Sequence, residues 1–138
     1  AGMSDIQLTW ANHYNLAEAA EVDAAHWGTY AGWSDYALVP VTISGVSAND
    51  DIYWTLTTLP LDYYNYDDEW IRDITSNENC HQSVHSFCYF QLPYEYEYSL
   101  IAVAKDANGN FGKLFKKEIY LYASDSADIS SYVYKEVE

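Results

Sequence analysis

Residues 98–115 read YSLIAVAKDANGNFGKLF, with an acidic turn between two apolar runs. In the first run the even-numbered residues fall on one face of a strand, and Ile101 and Val103 fall on the other. That second face becomes apolar only towards the middle, as in a central strand that is covered on both sides. Between the runs, Asn108-Gly109 supplies two residues that tolerate the positive φ angles of tight hairpin turns. The stretch therefore predicts a β-hairpin.

The acidic turn has an alternative interpretation as a calcium loop. Asp106, Asn108 and Asn110 place side-chain oxygens at alternate positions, as calcium-binding loops do. A complete loop also needs a bidentate acid at its twelfth position, which is Lys117 when counted from Asp106. Because Lys117 has the wrong charge for a cation ligand, the hairpin is the favoured interpretation.

The composition favours a single all-β domain. The 138 residues are 49% hydrophobic and 17% aromatic, with 15 Tyr, 5 Trp and 4 Phe. This length is enough for one sizeable core. Tyr and Trp suit half-buried β surfaces, where one end of the side chain packs and the other contacts water. A helical bundle is more often rich in Leu, Ala, Glu and Lys.

The net charge of −15, from 21 acidic and 6 basic side chains, argues against several classes of partner. Nucleic acids and anionic membrane surfaces would be repelled, so no nucleic-acid partner is predicted. No apolar run approaches the length that spans a bilayer, so no membrane insertion of this domain is predicted. The charge most simply serves solubility, and attraction for cations or a basic partner is the alternative.

Alternating or β-branched residues predict the strands of this domain, at residues 6–10, 36–46, 52–59, 86–92, 95–105 and 111–122. In the third of these strands, Ile52, Trp54 and Leu56 share one face. Pro40 favours a bulge or an edge position for the second strand. Residues 12–25 fit a helical turn and an irregular crossover equally well.

Two segments fall outside this strand pattern. Residues 62–76 predict an inserted short helix, in which Tyr66, Trp70 and Ile74 form a stripe able to lie on the sheet. Residues 123–138 are polar and rich in Ser and Asp, and they fit a C-terminal tail, a terminal strand or a linker. The β domain itself is expected to occupy residues 4–122.

The stretch LPYEYEYSLIAVAKDANGNFGKL resembles the end of a fibronectin type III domain of bacterial surface and secreted proteins. The resemblance rests on Leu92, which precedes Tyr98 by six positions, and on the turn that follows. Tyr98 would be the corner tyrosine, whose hydroxyl bonds back to nearby backbone. The family usually has proline two residues after the leucine, whereas Pro93 follows at once, so Tyr96 competes for the corner position.

This resemblance implies an immunoglobulin-like sandwich of two sheets with a short inserted helix near 62–76. It also implies a non-catalytic module of an exported or cell-surface bacterial protein, serving as a spacer, a scaffold or an adhesion domain that binds another protein. The family supplies no catalytic residues and no cofactor.

Cys80 and Cys88 leave three interpretations open. In an exported protein they would form a disulfide, provided that the chain turns between them, because a straight strand would hold them too far apart. Both would otherwise be free thiols. A zinc site with His81 and His85 is the third interpretation, but the adjacent Cys80-His81 pair is awkward for one tetrahedral centre. No metal site is therefore predicted.

No recognised catalytic motif accompanies the abundant acids and histidines, so no enzyme is predicted. The alternative function is carbohydrate binding through exposed aromatic side chains that stack on sugar rings. Most large aromatic residues contribute through buried area instead, which makes packing the competing interpretation. The candidate ligand-binding residues are Trp27, Trp33, Tyr63, Tyr64 and Tyr66.

Overall fold

The computed structural model of the chain describes residues 5–63, 68, 71, 75 and 81–138, the side chains of Tyr63 and His81 excepted. These residues form a mostly β structure with two antiparallel sheets and short helices. The strands are β1 (Gln7–Trp10), β2 (Tyr14–Asn15), β3 (Tyr36–Ser44), β4 (Asp51–Thr57), β5 (His81–Gln82), β6 (Phe87–Pro93), β7 (Tyr96–Lys105) and β8 (Phe115–Leu121). The α-helices are α1 (Leu16–Val22) and α2 (Ala24–Trp27), and 3-10 turns lie at Gly28–Tyr30, Leu61–Tyr63, Ala123–Asp125 and Ile129–Ser131.

The first sheet has β3 at its centre, with β6 on one side and β1 followed by β2 on the other. Trp10 pairs with Val41 and Tyr14 pairs with Leu38, so residues 11–13 face only two residues of β3. This extra residue is a β-bulge. Pro40 lies opposite it, and the Pro40 carbonyl accepts the N–H of Ala11 at 3.4 Å.

The sequence was expected to place Pro40 at a bulge or on an edge. The edge position is wrong, because Pro40 lies in the central strand of the sheet. The bulge is confirmed. In an antiparallel strand the N–H and C=O of one residue point to the same side. The Pro40 nitrogen, which carries no hydrogen, therefore faces the bulge, where no regular hydrogen bond between the strands is lost.

The second sheet has the order β5-β4-β7-β8 and contains the predicted hairpin. β7 pairs with β8 from Tyr96↔Leu121 to Ala102↔Phe115, which confirms the hairpin. The turn differs in detail from the expected one, because only Gly109 of the Asn108-Gly109 pair has a positive φ, of 85°. The Gly109 N–H donates to the Asp106 carbonyl at 3.0 Å, and the turn is of the three-residue kind that ends in one left-handed residue.

The side chain of Asp106 also closes this turn. One carboxylate oxygen accepts the N–H groups of Asn108 and Asn110, each at 2.9 Å. The acid that suggested a calcium ligand is thus engaged with the backbone of its own loop.

The inward faces of both sheets contribute to one hydrophobic cluster, an arrangement consistent with a β-sandwich. Its fully buried members include Leu8, Val39, Val41, Ile52, Leu100, Ala102, Ile119 and Leu121. Trp54 and Leu56 pack against this cluster, as the alternation in the sequence predicts.

The residues in the middle of the outer face of the second sheet are buried. Ile101 and Val103 point outward from β7, yet only 1% and 0% of their surfaces are exposed, which confirms a strand covered on both sides. Within the predicted helix of residues 62–76, Asp68, Ile71 and Thr75 have helical backbone, and the last two are buried. The proposed stripe of Tyr66, Trp70 and Ile74 lies outside the described residues.

The outer face of the first sheet is covered by helices and by the C-terminal segment. Asn15 caps α1 by accepting the Glu18 N–H at 3.1 Å, and the helix then buries one small apolar face. The segment 123–138 crosses the same face and reaches the start of β6, where Glu138 exchanges backbone hydrogen bonds of 2.8 and 3.0 Å with Phe87. This outer aromatic cluster comprises Leu16, Ala19, Ala20, Trp27 and Leu38, with Tyr14, Tyr30, Tyr36, Tyr89, Ile129, Tyr132 and Tyr134 packed against them.

Tyr98, the residue predicted to bond back to nearby backbone, lies near the start of β7. The Tyr98 hydroxyl donates to the Pro93 carbonyl at 2.8 Å, five residues upstream. Tyr98 is 6% exposed, whereas its competitor Tyr96 is 50% exposed. The predicted hydrogen bond of Tyr98 back to nearby backbone is therefore confirmed.

Candidate functional site

The two tryptophans that the sequence offers as ligand contacts, Trp27 and Trp33, lie in opposite environments. Trp27 ends α2 inside the outer aromatic cluster and is 8% exposed. Its indole N–H donates to the Tyr132 hydroxyl at 2.7 Å. Trp27 therefore does not form an exposed platform, because its ring is packed and its polar atom is satisfied within the protein.

A polar network below Trp27 joins α2 to the C-terminal segment. Tyr132 accepts from Trp27 and donates its own proton to a carboxylate oxygen of Asp23. The imidazole of His26 lies 2.9 Å from the same carboxylate and stacks on the ring of Tyr134, with ring centres 3.5 Å apart. The network ties residues from the two ends of the chain together.

The electrostatics of this network favour the Asp23 carboxylate over its protonated form. The hydrogen bond from Tyr132 is the largest cause that lowers the pKa of Asp23, and the contacts with His26 add to it. Burial, followed by the bond to Asp23, raises the pKa of Tyr132 above its ordinary range. Tyr132 thus remains a neutral donor, and the arrangement serves to hold the C-terminal segment.

Trp33 is the exposed member of the pair, with 43% of its surface accessible. It lies in the loop between the 3-10 turn Gly28–Tyr30 and β3. Its ring meets that of Tyr30 edge-on at 5.1 Å and that of Tyr36 at 4.8 Å. Gly32, Trp33, Ser34, Asp35 and Tyr36 line an open cavity of about 270 Å³.

The backbone of this loop is tied down on several sides. The N–H of Trp33 donates to the Tyr30 carbonyl at 3.0 Å, and the N–H of Tyr94 donates to the Asp35 carbonyl at 2.9 Å. The Asn15 side-chain amide donates to the Ser34 carbonyl at 2.8 Å. Gly32 has a φ of 84°, the left-handed conformation that allows the sharp bend before Trp33.

The side chains of the same loop are not used in this way. Within the described part of the chain, the Trp33 indole N–H, the Ser34 hydroxyl and the Asp35 carboxylate have no hydrogen-bond partner. Trp33 was among the predicted site residues, but its neighbours were not. The adjacent residues WSDY at 33–36 could have indicated the site, since they place aromatic, hydroxyl and acid groups together.

The remaining candidate ligand contacts cannot be placed beside Trp33. Tyr63 ends the 3-10 turn Leu61–Tyr63, but its side chain lies outside the described part of the structure. Tyr64 and Tyr66 also lie outside the described residues. Trp33 is the one predicted contact that the structure describes as exposed.

A second cavity, of about 350 Å³, lies at the side of the two sheets between β4 and β6. Trp54 and Phe90 meet there in an edge-to-face contact with ring centres 5.5 Å apart. Cys88 also lines this cavity, where it is buried, and burial raises the pKa of its thiol from 9.0 to about 12. Cys80 lies outside the described residues, so the Cys80–Cys88 disulfide stays a prediction.

Two other histidine rings, those of His13 and His85, bind backbone carbonyls. His13 is buried and its ring nitrogen lies 3.0 Å from the Tyr122 carbonyl, while that of His85 lies 2.7 Å from the Asp50 carbonyl. Both contacts join segments that are distant in sequence. Across residues 5–63, 68, 71, 75 and 81–138, no three His, Cys, Asp or Glu side chains are grouped to hold a metal ion.

Comparison with known proteins adds no relative: no family model, no curated protein and no solved structure matches this chain. Over its described residues, the chain has no helix long and apolar enough to cross a bilayer.

Proposed function

We propose that the chain is a non-catalytic, fibronectin type III-like module of an exported or cell-surface bacterial protein, where it serves as a spacer, a scaffold or an adhesion domain. The observation that carries this proposal is the way in which the strands are divided between the sheets. When β1 and β2 are counted as one interrupted strand, the first, second and fifth strands form one sheet. The third, fourth, sixth and seventh strands form the other.

Seven-stranded immunoglobulin-like sandwiches divide their strands in nearly this way, with the first, second, fourth and fifth strands in one sheet and the third, sixth and seventh in the other, so that only the fourth strand differs here. The short strand β5 pairs with β4 and so joins the second sheet. The bond from Tyr98 to Pro93 at the corner between the fifth and sixth strands gives independent support, because such sandwiches carry a corner tyrosine there.

The use of polar side chains supports a structural role. Asp106 closes the hairpin turn, His13 and His85 bind backbone carbonyls, and Asp23 holds Tyr132. Each of these titratable groups is engaged in joining chain segments.

Cell-surface exposure is the direct test of the proposed location. Intact cells that produce the full-length protein would be treated with a membrane-impermeant biotin reagent that reacts with lysine, and this segment would then be recovered and mapped. We expect biotin on exposed lysines of the segment, with a cytosolic enzyme of the same cells unlabelled as the control. Labelling that occurs only after lysis would contradict an exported or surface module.

A further inference from the structure

We propose that the loop around Trp33 is a binding site for an uncharged sugar ring. The site consists of the exposed indole of Trp33, the flanking ring of Tyr36, and the polar side chains of Ser34 and Asp35. The inference goes beyond the proposed structural role by naming a ligand class, and it rests on that role only in requiring that the surface be accessible outside the cell.

The first argument is the geometry of the aromatic surface. Trp33 is fixed between Tyr30 and Tyr36 by ring contacts of 5.1 and 4.8 Å, while 43% of its surface stays exposed. A large flat apolar face held in one orientation loses little conformational entropy when a ligand binds. Sugar rings have an apolar C–H face of matching shape, which suits them to this surface.

The second argument is the placement of unused polar groups. The indole N–H, the Ser34 hydroxyl and the Asp35 carboxylate belong to residues that line the cavity, and in the described part of the structure they hydrogen-bond to no other protein group. Together they offer a donor, a group that both donates and accepts, and a strong acceptor. A hydroxyl-rich ring presents both donors and acceptors at its edge, so each of these groups could be satisfied. A purely apolar ligand would leave them unpaired.

The third argument is the contrast with Trp27. Both tryptophans contact the ring of Tyr30, yet of the two only Trp27 has its indole N–H satisfied by another side chain, at 2.7 Å. The backbone groups of the Trp33 loop form hydrogen bonds within the protein. Among the described residues, the polar groups of the Trp33, Ser34 and Asp35 side chains do not. This combination of a fixed backbone and free side chains is what a preformed ligand site requires.

Charge determines which sugars fit. The chain has a net charge of −15, and Asp35 lies in the site itself. Uronic and sialic acids would therefore meet repulsion, whereas neutral hexoses, pentoses and N-acetylated amino sugars would not. Because one stacked ring and a few hydrogen bonds at an open surface form a small contact, we expect a dissociation constant of roughly 0.1–10 mM.

The test is an NMR titration of the isolated chain, in which the five Trp indole N–H signals report separately. The Trp33 signal is assigned by its loss in Trp33→Ala. The probes are cellotriose, xylotriose, mannotriose and chitotriose, with trigalacturonate as the anionic comparison, each to about 10 mM. We expect at least one neutral probe to shift the Trp33 signal saturably, and trigalacturonate to leave it unchanged.

Variants separate this site from a general surface effect. Trp33→Ala should weaken binding of the active probe roughly tenfold or more because the stacked face is lost. Trp33→Phe keeps an aromatic face and should retain part of the affinity. Tyr120→Ala is the matched control, since Tyr120 is a comparably exposed aromatic residue at 51% that lies outside the cavity. It should bind as the unsubstituted chain does.

Three outcomes would overturn the inference. One is the absence of a saturable shift with every neutral probe, and another is an equal affinity of Trp33→Ala. The third is a Trp33 signal that moves with protein concentration alone, which would assign this surface to a second copy of the chain. None of these outcomes bears on surface labelling, so failure of the sugar site and failure of the proposed location remain distinguishable.

Discussion

The hydroxyl of Tyr98 donates a hydrogen bond of 2.8 Å to the carbonyl of Pro93, and thereby joins the start of β7 to the end of β6. These two strands belong to different sheets, so the bond fixes the corner at which the chain passes from one sheet to the other. Burial raises the pKa of Tyr98 from 10.0 to about 12, so the hydroxyl keeps its proton, and the bond, at alkaline pH values where an exposed tyrosine ionises.

Replacing Tyr98 by Phe should destabilise the domain by about 1–2 kcal/mol, because the Pro93 carbonyl loses its donor in a mostly buried position. The measurement is urea unfolding followed by circular dichroism. Tyr96→Phe is the matched control, since Tyr96 is half exposed, and it should stay within about 0.5 kcal/mol of the unsubstituted chain. If the two variants lowered the free energy of unfolding equally, the hydrogen bond from Tyr98 to Pro93 would have no special role in stability.

Replacing Gly45 by Ala should be among the more damaging single changes in the chain. Gly45 has a φ of 79°, and an added Cβ would lie 2.1 Å from the Asp5 carbonyl oxygen. Backbone strain and this clash together should cost about 3 kcal/mol or more. Gly32→Ala separates the two effects, because Gly32 has a φ of 84° but open space around the added Cβ.

For Gly32→Ala, only the strain term of about 1–2 kcal/mol is expected. Urea denaturation of both variants provides the comparison. A Gly45→Ala variant no less stable than Gly32→Ala would show that the chain before β1 does not pack against this turn.

An element of the fold could be predicted where the residues that determine it lie close together in the sequence. The hairpin from β7 to β8 could be predicted because Asn108-Gly109 and the alternating runs lie within one short stretch. The helices α1 and α2 could not, since the Ala-rich sequence from 16 to 27 has no clear periodicity. Their stability comes from packing on the outer face of the first sheet, which only the folded chain provides.

The candidate site also depends on contacts between distant residues, which the local sequence does not reveal. Trp27 and Trp33 have similar local sequences, with glycine and aromatic residues close by. Trp27 differs in that residues remote in sequence cover it: Tyr89 and Tyr134 pack against its ring, and Tyr132 binds its indole N–H across 105 residues. The polar composition of residues 123–138 suggested a tail, because its few apolar anchors are Ile129, Tyr132 and Tyr134, whose partners are remote in sequence.

Replacing Tyr132 by Phe should release the C-terminal segment from the outer aromatic cluster. The buried N–H of Trp27 loses its acceptor, so the expected cost is about 1–2 kcal/mol. Hydrogen exchange should also become faster for the amides of residues 129–135. Val133→Ala is the control, because Val133 is 82% exposed and should change neither quantity. Unchanged exchange in Tyr132→Phe would mean that the rings alone hold this segment.

The same variant should alter the response of the domain to acid. The folded pKa of Asp23 is lowered, so the carboxylate contributes stability above its unfolded pKa and loses this contribution as the pH falls through the folded value. Tyr132 is the largest cause of the lowering, so Tyr132→Phe should lose less stability between neutral and acidic pH than the unsubstituted chain does. Urea unfolding at both pH values measures this difference, and parallel losses would contradict it.

The thiol of Cys88 should react very slowly in the folded protein. Burial raises its pKa from 9.0 to about 12, so the reactive thiolate at pH 8 is about a thousandfold scarcer than for a free cysteine. The measurement is iodoacetamide labelling of a Cys80→Ser variant, in which Cys88 is the only cysteine, with the same variant in urea as the control. Equal rates in both conditions would place Cys88 at the surface.

The unsubstituted chain decides the predicted pairing of Cys80 with Cys88. In urea without reductant, a disulfide leaves no reactive thiol, whereas two free cysteines give two. Because a disulfide forms in exported proteins and is rare in the cytosol, the result also bears on location.

A folded thiol with a raised pKa contributes stability that is fully present below about pH 9 and is lost as the pH rises towards about 12. A chain with two free thiols should therefore lose stability over this alkaline range, and replacement of Cys88 by Ala should reduce that loss, leaving the part due to buried tyrosines such as Tyr98.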